Sequence, residues 1–208
     1  GTITSLVSAN QAAGFSIVQW STSTTLATVG HGLSSAPELI IGKGINWSSS
    51  WPVYALPIGN TKKMSLNDTS IASTSTIWGN TTPTATTFNQ DFTGTAGRTN
   101  IAYCFTSISG YSKVDTYTGN GTLGHSIATG FAPGFVMIKR SSATGSWYLF
   151  DNKRTTGVYS DQLEANTANA EVTGTYVDLD SNGFSLNTTA SNLNENGSTF
   201  IYLAIKEN

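Results

Sequence analysis

Short apolar segments alternate with polar turns along the whole chain, and helical periodicity is almost absent. Segments rich in Val, Ile, Thr, Tyr and Phe are separated by Gly, Asn or Pro about every eight to twelve residues, which is typical of a β-sandwich or jelly roll. The pattern predicts strands near residues 14–21, 25–30, 37–43, 50–56, 63–67, 74–79, 85–90, 99–106, 111–118, 123–129, 134–140, 146–151, 159–165, 174–180, 183–188 and 199–206. Residues 160–171 have some helical composition, but Asn166 and Asn169 limit this segment to at most one turn of helix.

The hydrophobic pattern repeats with a period of 96 residues. The matched segments are Gly14-Phe15-Ser16 with Gly110-Tyr111-Ser112, Ala36-Pro37 and Lys43 with Ala132-Pro133 and Lys139, and Trp51-Pro52-Val53-Tyr54 with Trp147-Tyr148-Leu149-Phe150. A fixed period indicates one structural unit used twice. Trp51 and Trp147 are therefore predicted to be equivalent core anchors.

The period predicts two homologous β-sandwich repeats, residues 1–106 and 107–208, in an all-β chain with little or no helix. Residues 106–109 are too few for a flexible tether, so we expect the repeats to pack closely. Whether they form separate sandwiches or halves of one larger jelly roll stays open. Positions matched between the repeats are expected to be scaffold, and unmatched positions are better candidates for function.

Composition excludes several classes of function. Charged residues make up 11% of the chain and the net charge is −2, so no basic surface for nucleic acid is expected. No apolar run approaches the roughly 20 residues that span a bilayer. The single cysteine, Cys104, lies in an apolar strand, so it is expected to be a buried small side chain without a disulfide.

The tryptophans offer the strongest candidates for a binding site. Trp47, next to Asn46, and Trp78, close to Asn80, have no partner in the second repeat. An exposed indole beside amide side chains suits a sugar, which needs a flat apolar surface and planar hydrogen-bonding groups. The alternative is that each ring folds back over the core.

Catalytic signals are sparse. The sequence contains no G-x-S-x-G, H-E-x-x-H or phosphate-binding glycine loop. His31 is expected to hydrogen-bond backbone groups in a turn, whereas His125 has no counterpart in the first repeat and is a further ligand-binding candidate. A glycoside hydrolase would need two converging carboxylates, for which the available residues are Asp151, Asp161, Glu164, Glu171 and Glu195. The favoured interpretation is a non-catalytic protein with no cofactor.

One segment resembles the first half of a calcium-binding loop. Asp178, Asp180 and Asn182 alternate with other residues, and Gly183 is the sixth position. The carboxylate expected at the twelfth position is replaced by Thr189. An ordinary turn between two strands explains the same residues.

Beyond these physical patterns, an ordered set of motifs is similar to a known family. The motifs are Gly30-His31-Gly32-Leu33, Pro83-Thr84 after Trp78, Ile101-Ala102-Tyr103-Cys104-Phe105, Tyr117-Thr118-Gly119-Asn120-Gly121, Thr129-Gly130-Phe131-Ala132-Pro133, Ile138-Lys139-Arg140 and Phe200-Ile201-Tyr202-Leu203-Ala204. They resemble the repeated, lectin-like β-rich domain of bacteriophage tail-fibre and virion structural proteins, especially of marine phages, and the likeness covers nearly the whole chain. The resemblance supplies no catalytic residues to assign to this chain.

The resemblance implies a location on the virion, outside the host cell, and a role in binding. The partners it implies are a host cell-surface glycan or other virion proteins, with no nucleic acid and no membrane insertion, and the parent protein could be a homotrimer. The first hypothesis is thus an adhesin that recognises carbohydrate. The alternatives are a purely structural module, such as a fibre spacer or capsid decoration, and a polysaccharide depolymerase.

Overall fold

The computed structural model describes residues 1–91, 95–154 and 159–207, and the protein is all-β. The chain divides into two compact units. Unit 1 comprises Gly1–Leu66 and Ala72–Ser107, and unit 2 comprises Asn67–Ile71 and Ile108–Asn208. A five-residue segment from the first half of the sequence therefore belongs to unit 2.

Unit 1 consists of a long sheet and a two-stranded sheet. Its strands are β1 (Ser5–Asn10), β2 (Phe15–Ser21), β3 (Thr28–Gly30), β4 (Leu39–Gly44), β5 (Pro52–Ala55), β6 (Lys62–Ser65), β7 (Ser73–Thr74), β8 (Thr87–Asn89) and β9 (Thr99–Phe105). Over the described residues, the long sheet has the order β1-β2-β9-β4-β5-β6-β7 and β3 pairs with β8. A short 3₁₀ turn, Leu56–Ile58, follows β5.

Unit 2 has a single continuous sheet that wraps around its core. Its strands are β10 (Ser112–Thr118), β11 (His125–Ala128), β12 (Pro133–Arg140), β13 (Trp147–Asp151), β14 (Tyr159–Glu164), β15 (Val172–Asp180), β16 (Gly183–Leu186) and β17 (Thr199–Lys206), with the short helix α1 (Ser191–Asn194) before β17. The order is β10-β17-β12-β13-β14-β15-β16-β11 in the part of unit 2 that the structure describes.

The strand order itself repeats. The run β2-β9-β4-β5-β6 in unit 1 corresponds to β10-β17-β12-β13-β14 in unit 2, and the pair β3-β8 corresponds to β11-β16. Strand β1 has no counterpart in this correspondence. The two units are thus variants of one arrangement, to which unit 1 adds an edge strand.

Alternation along the strands turns one face of each sheet towards an apolar core. Ile40 and Val136 are twins on β4 and β12, Tyr54 and Phe150 are twins on β5 and β13, and all four are 0% exposed. The unit 1 core contains Val18, Trp20, Val29, Leu33, Ile40, Tyr54, Trp78, Phe88, Ala102 and Cys104. The unit 2 core contains Tyr117, Ile127, Phe131, Val136, Ile138, Tyr148, Phe150, Val177, Phe184, Leu186, Leu193, Phe200, Tyr202 and Ala204.

Trp51 and Trp147 are not the equivalent core anchors that the repeat predicts. Trp147 is buried and Trp51 is half-buried, and neither belongs to the core cluster of its unit. Trp51 lies instead directly before β5 and Trp147 is the first residue of β13, each close to the lysine of its own unit. Lys43 lies 5.7 Å from the Trp51 ring centroid, and Lys139 pairs with Trp147 across β12 and β13.

Three local predictions differ from the structure. Strand β1 is not predicted, because its alternation of polar and apolar residues is weak. Residues 74–79 are predicted as a strand, but β7 ends at Thr74 and a turn follows at 77–80. Residues 160–171 contain most of β14, which agrees with the strand predicted near 159–165, but a turn and not a turn of helix follows, and the described helix is α1.

Candidate binding groove

An open groove of about 570 Å³ lies on unit 1, beside the start of β1. Its lining residues are Thr2, Ile3, Thr4, Leu6, Gln19, Trp20, Ser21 and Thr99. These side chains supply four hydroxyl groups, one amide and several apolar surfaces, and none carries a formal charge. Leu6 is 69% exposed, whereas Trp20 is 4% exposed.

The N-terminal segment is tied to β3, and this forms one wall of the groove. The Thr2 amide donates to Oγ1 of Thr28 at 2.8 Å, and the Thr28 amide donates to Oγ1 of Thr2 at 2.9 Å. Ile3 then forms a parallel bridge with Val29. Strand β1 continues along β2, with Leu6 opposite Gln19, so residues from two strands line the groove together.

A second depression of about 270 Å³ adjoins the groove on the same face. It is lined by Leu6, Val7, Ser8, Ile17, Gln19 and Ile101, so the two depressions share Leu6 and Gln19. Val18 and Trp20 of β2 point into the core, and alternation therefore places Ile17 and Gln19 on the opposite face. This outer face of β1, β2 and β9 combines an apolar strip with uncharged polar side chains.

Trp47 packs on the sheet of unit 1. Its Nε1 donates to Oδ1 of Asn100 at 3.0 Å, and its ring lies so close to Gly44 that a Cβ there would be 2.4 Å from the ring. The Arg98 guanidinium lies 4.5 Å from the ring centroid, within the range of a cation–π interaction. The half-buried Trp47 ring is therefore already engaged by its own unit.

Asn46 forms a hydrogen bond with one of the residues that line the groove. Its side chain is exposed, and its Oδ1 accepts a hydrogen bond from the Thr99 amide at 2.8 Å. Thr99 is a lining residue. Asn46 thus holds the strand end that carries one of the groove hydroxyls.

Trp78 is buried, which corrects the expectation of an exposed ring. It is 1% exposed and packs edge-on against Tyr54 with ring centroids 5.7 Å apart. Asn80 is exposed in the turn that follows and has a φ of 51°, a conformation that asparagine tolerates. The structure does not bring Trp78 or Asn80 to the groove.

His125 belongs to a polar network in unit 2 that centres on Asn194. Asn194 is 0% exposed, and its Oδ1 accepts from the Asn120 amide at 3.0 Å and from Nδ1 of His125 at 3.3 Å. Its Nδ2 donates to the carbonyls of Thr122 and Thr188 at 2.8 and 2.9 Å. The His125 ring also packs edge-on against Tyr117, so it helps to hold the 119–124 turn.

The calcium-loop residues lie in a β-hairpin. Asp178 and Asp180 belong to β15, Asn182 lies in the turn, and Asp180 pairs with Gly183 of β16. The Asn187 Nδ2 donates to Asp178 at 2.5 Å. Burial and the nearby Asp180 raise the pKa of Asp178, and the bond from Asn187 opposes this shift. Within the described ranges, no three His, Cys, Asp or Glu side chains form a group suited to a metal ion.

Three of the carboxylates considered for a glycoside hydrolase form ion pairs with arginines in unit 2. Arg154 forms ion pairs with Asp151, at 2.5 Å, and with Glu171, and Glu195 pairs with Arg140 at 2.8 Å. Burial alone would raise the pKa of Asp151, but hydrogen bonds from Arg154 and neighbouring amides lower it on balance. A carboxylate stabilised as an anion is poorly suited to act as a general acid.

Sequence reasoning missed the groove residues. They come from the segment before β1, from β1 itself, from the end of β2 and from the first residue of β9, and only the fold brings them together. One signal was available, because the segment Ser5–Asn10 has no twin in the second repeat and unmatched positions were expected to carry function.

No helix in the part of the chain that the structure describes is long and apolar enough to cross a membrane.

A comparison with protein families matches residues 1–208 to a family described as "Domain of unknown function (DUF7483)". Searches of curated proteins and of solved structures found no match.

Proposed function

Because the chain belongs to the DUF7483 family, whose description gives no function, we propose one from its geometry and its resemblance to phage virion proteins. The protein is a non-catalytic binding module of a bacteriophage virion that recognises an uncharged saccharide on the host surface. The observation that carries the proposal is the groove of about 570 Å³ on unit 1, with hydroxyl, amide and apolar lining.

The chemistry of the groove suits a neutral sugar. The hydroxyls of Thr2, Thr4, Ser21 and Thr99 can both donate and accept hydrogen bonds, as sugar hydroxyls do. The Gln19 amide adds separate donor and acceptor atoms, and Leu6 offers an exposed apolar contact for a ring face. Since no lining residue is charged, nothing in the groove favours an acidic sugar or a phosphate.

A glycan array tests this proposal. We expect the protein to retain neutral saccharides and to bind whole host cells, with Gln19→Ala weakening both by about tenfold or more, which corresponds to about 1.4 kcal/mol. Thr116→Ala is the matched control, because Thr116 pairs with Ile201 in unit 2 as Gln19 pairs with Ile101 in unit 1. Retention of acidic saccharides alone, or no binding to either the array or cells, would overturn the proposal.

An architectural role in the virion, as a fibre spacer or capsid decoration, is the second candidate. It is favoured by the free edge of β1, which is a surface suited to assembly rather than to a small ligand. It predicts no saccharide affinity in the array and a stable contact between protein chains.

A further inference from the structure

Strand β1 forms a free edge of the long sheet in unit 1. It pairs with β2 over six residues, from Ser5 opposite Trp20 to Asn10 opposite Phe15. Apart from this ladder, no backbone group of Ser5–Asn10 bonds with another residue in the described ranges. In an antiparallel strand, alternate residues direct their N–H and C=O groups away from the partner. A row of backbone donors and acceptors is therefore open along β1.

The composition of β1 leaves this edge unprotected. Natural sheets block their edges with lysine, proline, bulges or inward-pointing charges. The strand reads Ser-Leu-Val-Ser-Ala-Asn, and its pairing with β2 has no register shift. Leu6 is 69% exposed and Val7 is 41% exposed. An exposed apolar edge of this kind is a template for another strand.

The equivalent edge of the unit 2 sheet is protected by charged side chains, so the same chain contains one unprotected and one protected edge. Strand β10 is the twin of β2 and is the terminal strand of the unit 2 sheet, since no strand like β1 pairs with it in the described part of the chain. Its inward positions carry Lys113 and Asp115, which form an ion pair of 3.2 Å. The position in unit 1 that is equivalent to Asp115 is the buried Val18. Asp115 pairs with Tyr202 on β17, and Val18 pairs with Ala102, the equivalent residue on β9.

We propose that β1 pairs with β1 of a second copy of this chain, antiparallel and about a two-fold axis. The neutral edge and its uncharged surroundings favour a partner strand without charges, and β1 itself has that chemistry and a matching length. The pairing continues the existing β1–β2 ladder. Such a contact is isologous, so the same residues are used by both copies.

The two-fold geometry fixes which residues face each other. A two-fold axis perpendicular to the sheet keeps the core-facing sides of both copies on the same side. Each residue must then oppose a residue whose side chain lies on the same face of the sheet. A register centred on Val7 meets this condition, because it places Val7 opposite Val7 of the second copy and Leu6 opposite Ser8. Cβ atoms of directly opposed residues lie about 4.5–5.5 Å apart. This interface does not depend on saccharide recognition.

Charge at the edge tests the proposal. We expect the wild type to sediment as a dimer at high concentration, and Leu6→Lys to weaken the dimer by about tenfold or more because lysine blocks strand edges. The matched control is Leu123→Lys, since Leu123 is 68% exposed in unit 2. Melting temperatures of both variants establish that they are folded.

Cross-linking tests the register. Under mild oxidation, Val7→Cys should form a disulfide-linked dimer much faster than Leu123→Cys does. The native Cys104 does not interfere, because it is 0% exposed and burial raises its pKa to about 12. A wild type that stays monomeric at every concentration, a Leu6→Lys dimer as tight as the wild type, or equal cross-linking of the two cysteine variants would overturn the proposal. A dimer with no glycan binding would retain this interface and reject the saccharide proposal alone.

Discussion

Lys43 and Lys139 donate their Nζ atoms to backbone carbonyls at matching positions, Ser49 O at 2.7 Å and Gly145 O at 2.6 Å. Each acceptor lies six residues after its lysine, so the bond closes the same connection between strands in both units. The environments differ, because Lys139 is 0% exposed and also donates to the Thr69 carbonyl at 3.2 Å, whereas Lys43 is half-buried. The same hydrogen bond is thus formed by a fully buried ammonium group in unit 2 and by a partly exposed one in unit 1.

The buried Lys139 should make stability depend on pH in the alkaline range. Burial lowers the pKa of Lys139 from 10.5 to about 8, and the nearby Asp68 opposes this shift. Between these values the unfolded chain binds a proton that the folded protein does not, so the free energy of unfolding rises with pH. The slope is at most about 1.4 kcal/mol per pH unit. Urea unfolding at several pH values measures it.

The matched pair of lysine variants isolates this effect. Lys139→Met should remove the alkaline rise and cost about 1–3 kcal/mol, because the Gly145 carbonyl loses its lysine donor, whereas the Thr69 carbonyl keeps the Gly145 amide. Lys43→Met removes the equivalent bond from a half-buried site, so it should cost less and keep the rise. If the difference in stability between wild type and Lys139→Met is constant from pH 8 to 10.5, the assignment is wrong.

His31 should make the protein sensitive to mild acid. Its Nδ1 accepts a hydrogen bond from the Leu33 amide at 3.2 Å, so Nε2 carries the proton and donates to the Thr84 carbonyl at 3.1 Å. Burial lowers the pKa of His31 below 6.5, and the bond to Thr84 opposes this shift. The stability contributed by the neutral ring is present above pH 6.5 and is lost as the pH falls through the lowered pKa.

A proton titration followed by NMR checks this prediction. The His31 ring signals should keep their neutral positions as the native protein is acidified below pH 6.5. The variant His31→Gln should lose less stability than the wild type as the pH falls below 6.5. The measurement is the unfolding free energy of both proteins at several pH values. A native His31 that becomes protonated at or above pH 6.5 would contradict it.

Asn194 should be among the most sensitive polar positions of unit 2. Asn194→Ala removes four hydrogen bonds at a fully buried site, so we expect a loss of about 3 kcal/mol in unfolding free energy. Asn196→Ala is the control, because Asn196 is exposed and its expected effect is within about 0.5 kcal/mol. Equal costs for the two variants in denaturant unfolding would show that the network contributes nothing.

The repeat made much of the core predictable from sequence. Twin positions such as Ile40 with Val136 and Tyr54 with Phe150 are buried in both units, since one packing arrangement demands apolar residues at both. Strand β1 escaped prediction because Ser5–Asn10 lies at an edge, where burial imposes little pattern. An edge strand has neighbours on one side only, so its sequence is weakly constrained.

The candidate site was less predictable than the core. Trp78 follows a polar stretch and precedes Gly79-Asn80, yet the turn at 77–80 directs its ring into unit 1. Local composition does not predict that the Trp78 ring is buried, because the ring packs against Tyr54, which is 24 residues earlier in the chain. The groove residues Leu6, Gln19 and Thr99 likewise become neighbours only through strand pairing.

The segment Asn67–Ile71, which belongs to unit 2, has a practical consequence for dissecting the protein. A fragment that starts at Ile108 would leave the Lys139 ammonium and the Gly145 amide without the Thr69 carbonyl that both contact. We therefore expect a fragment that starts at Ile108 to be less stable than unit 2 is in the intact chain. A synthetic peptide carrying residues 67–71 should bind that fragment and restore part of its lost stability.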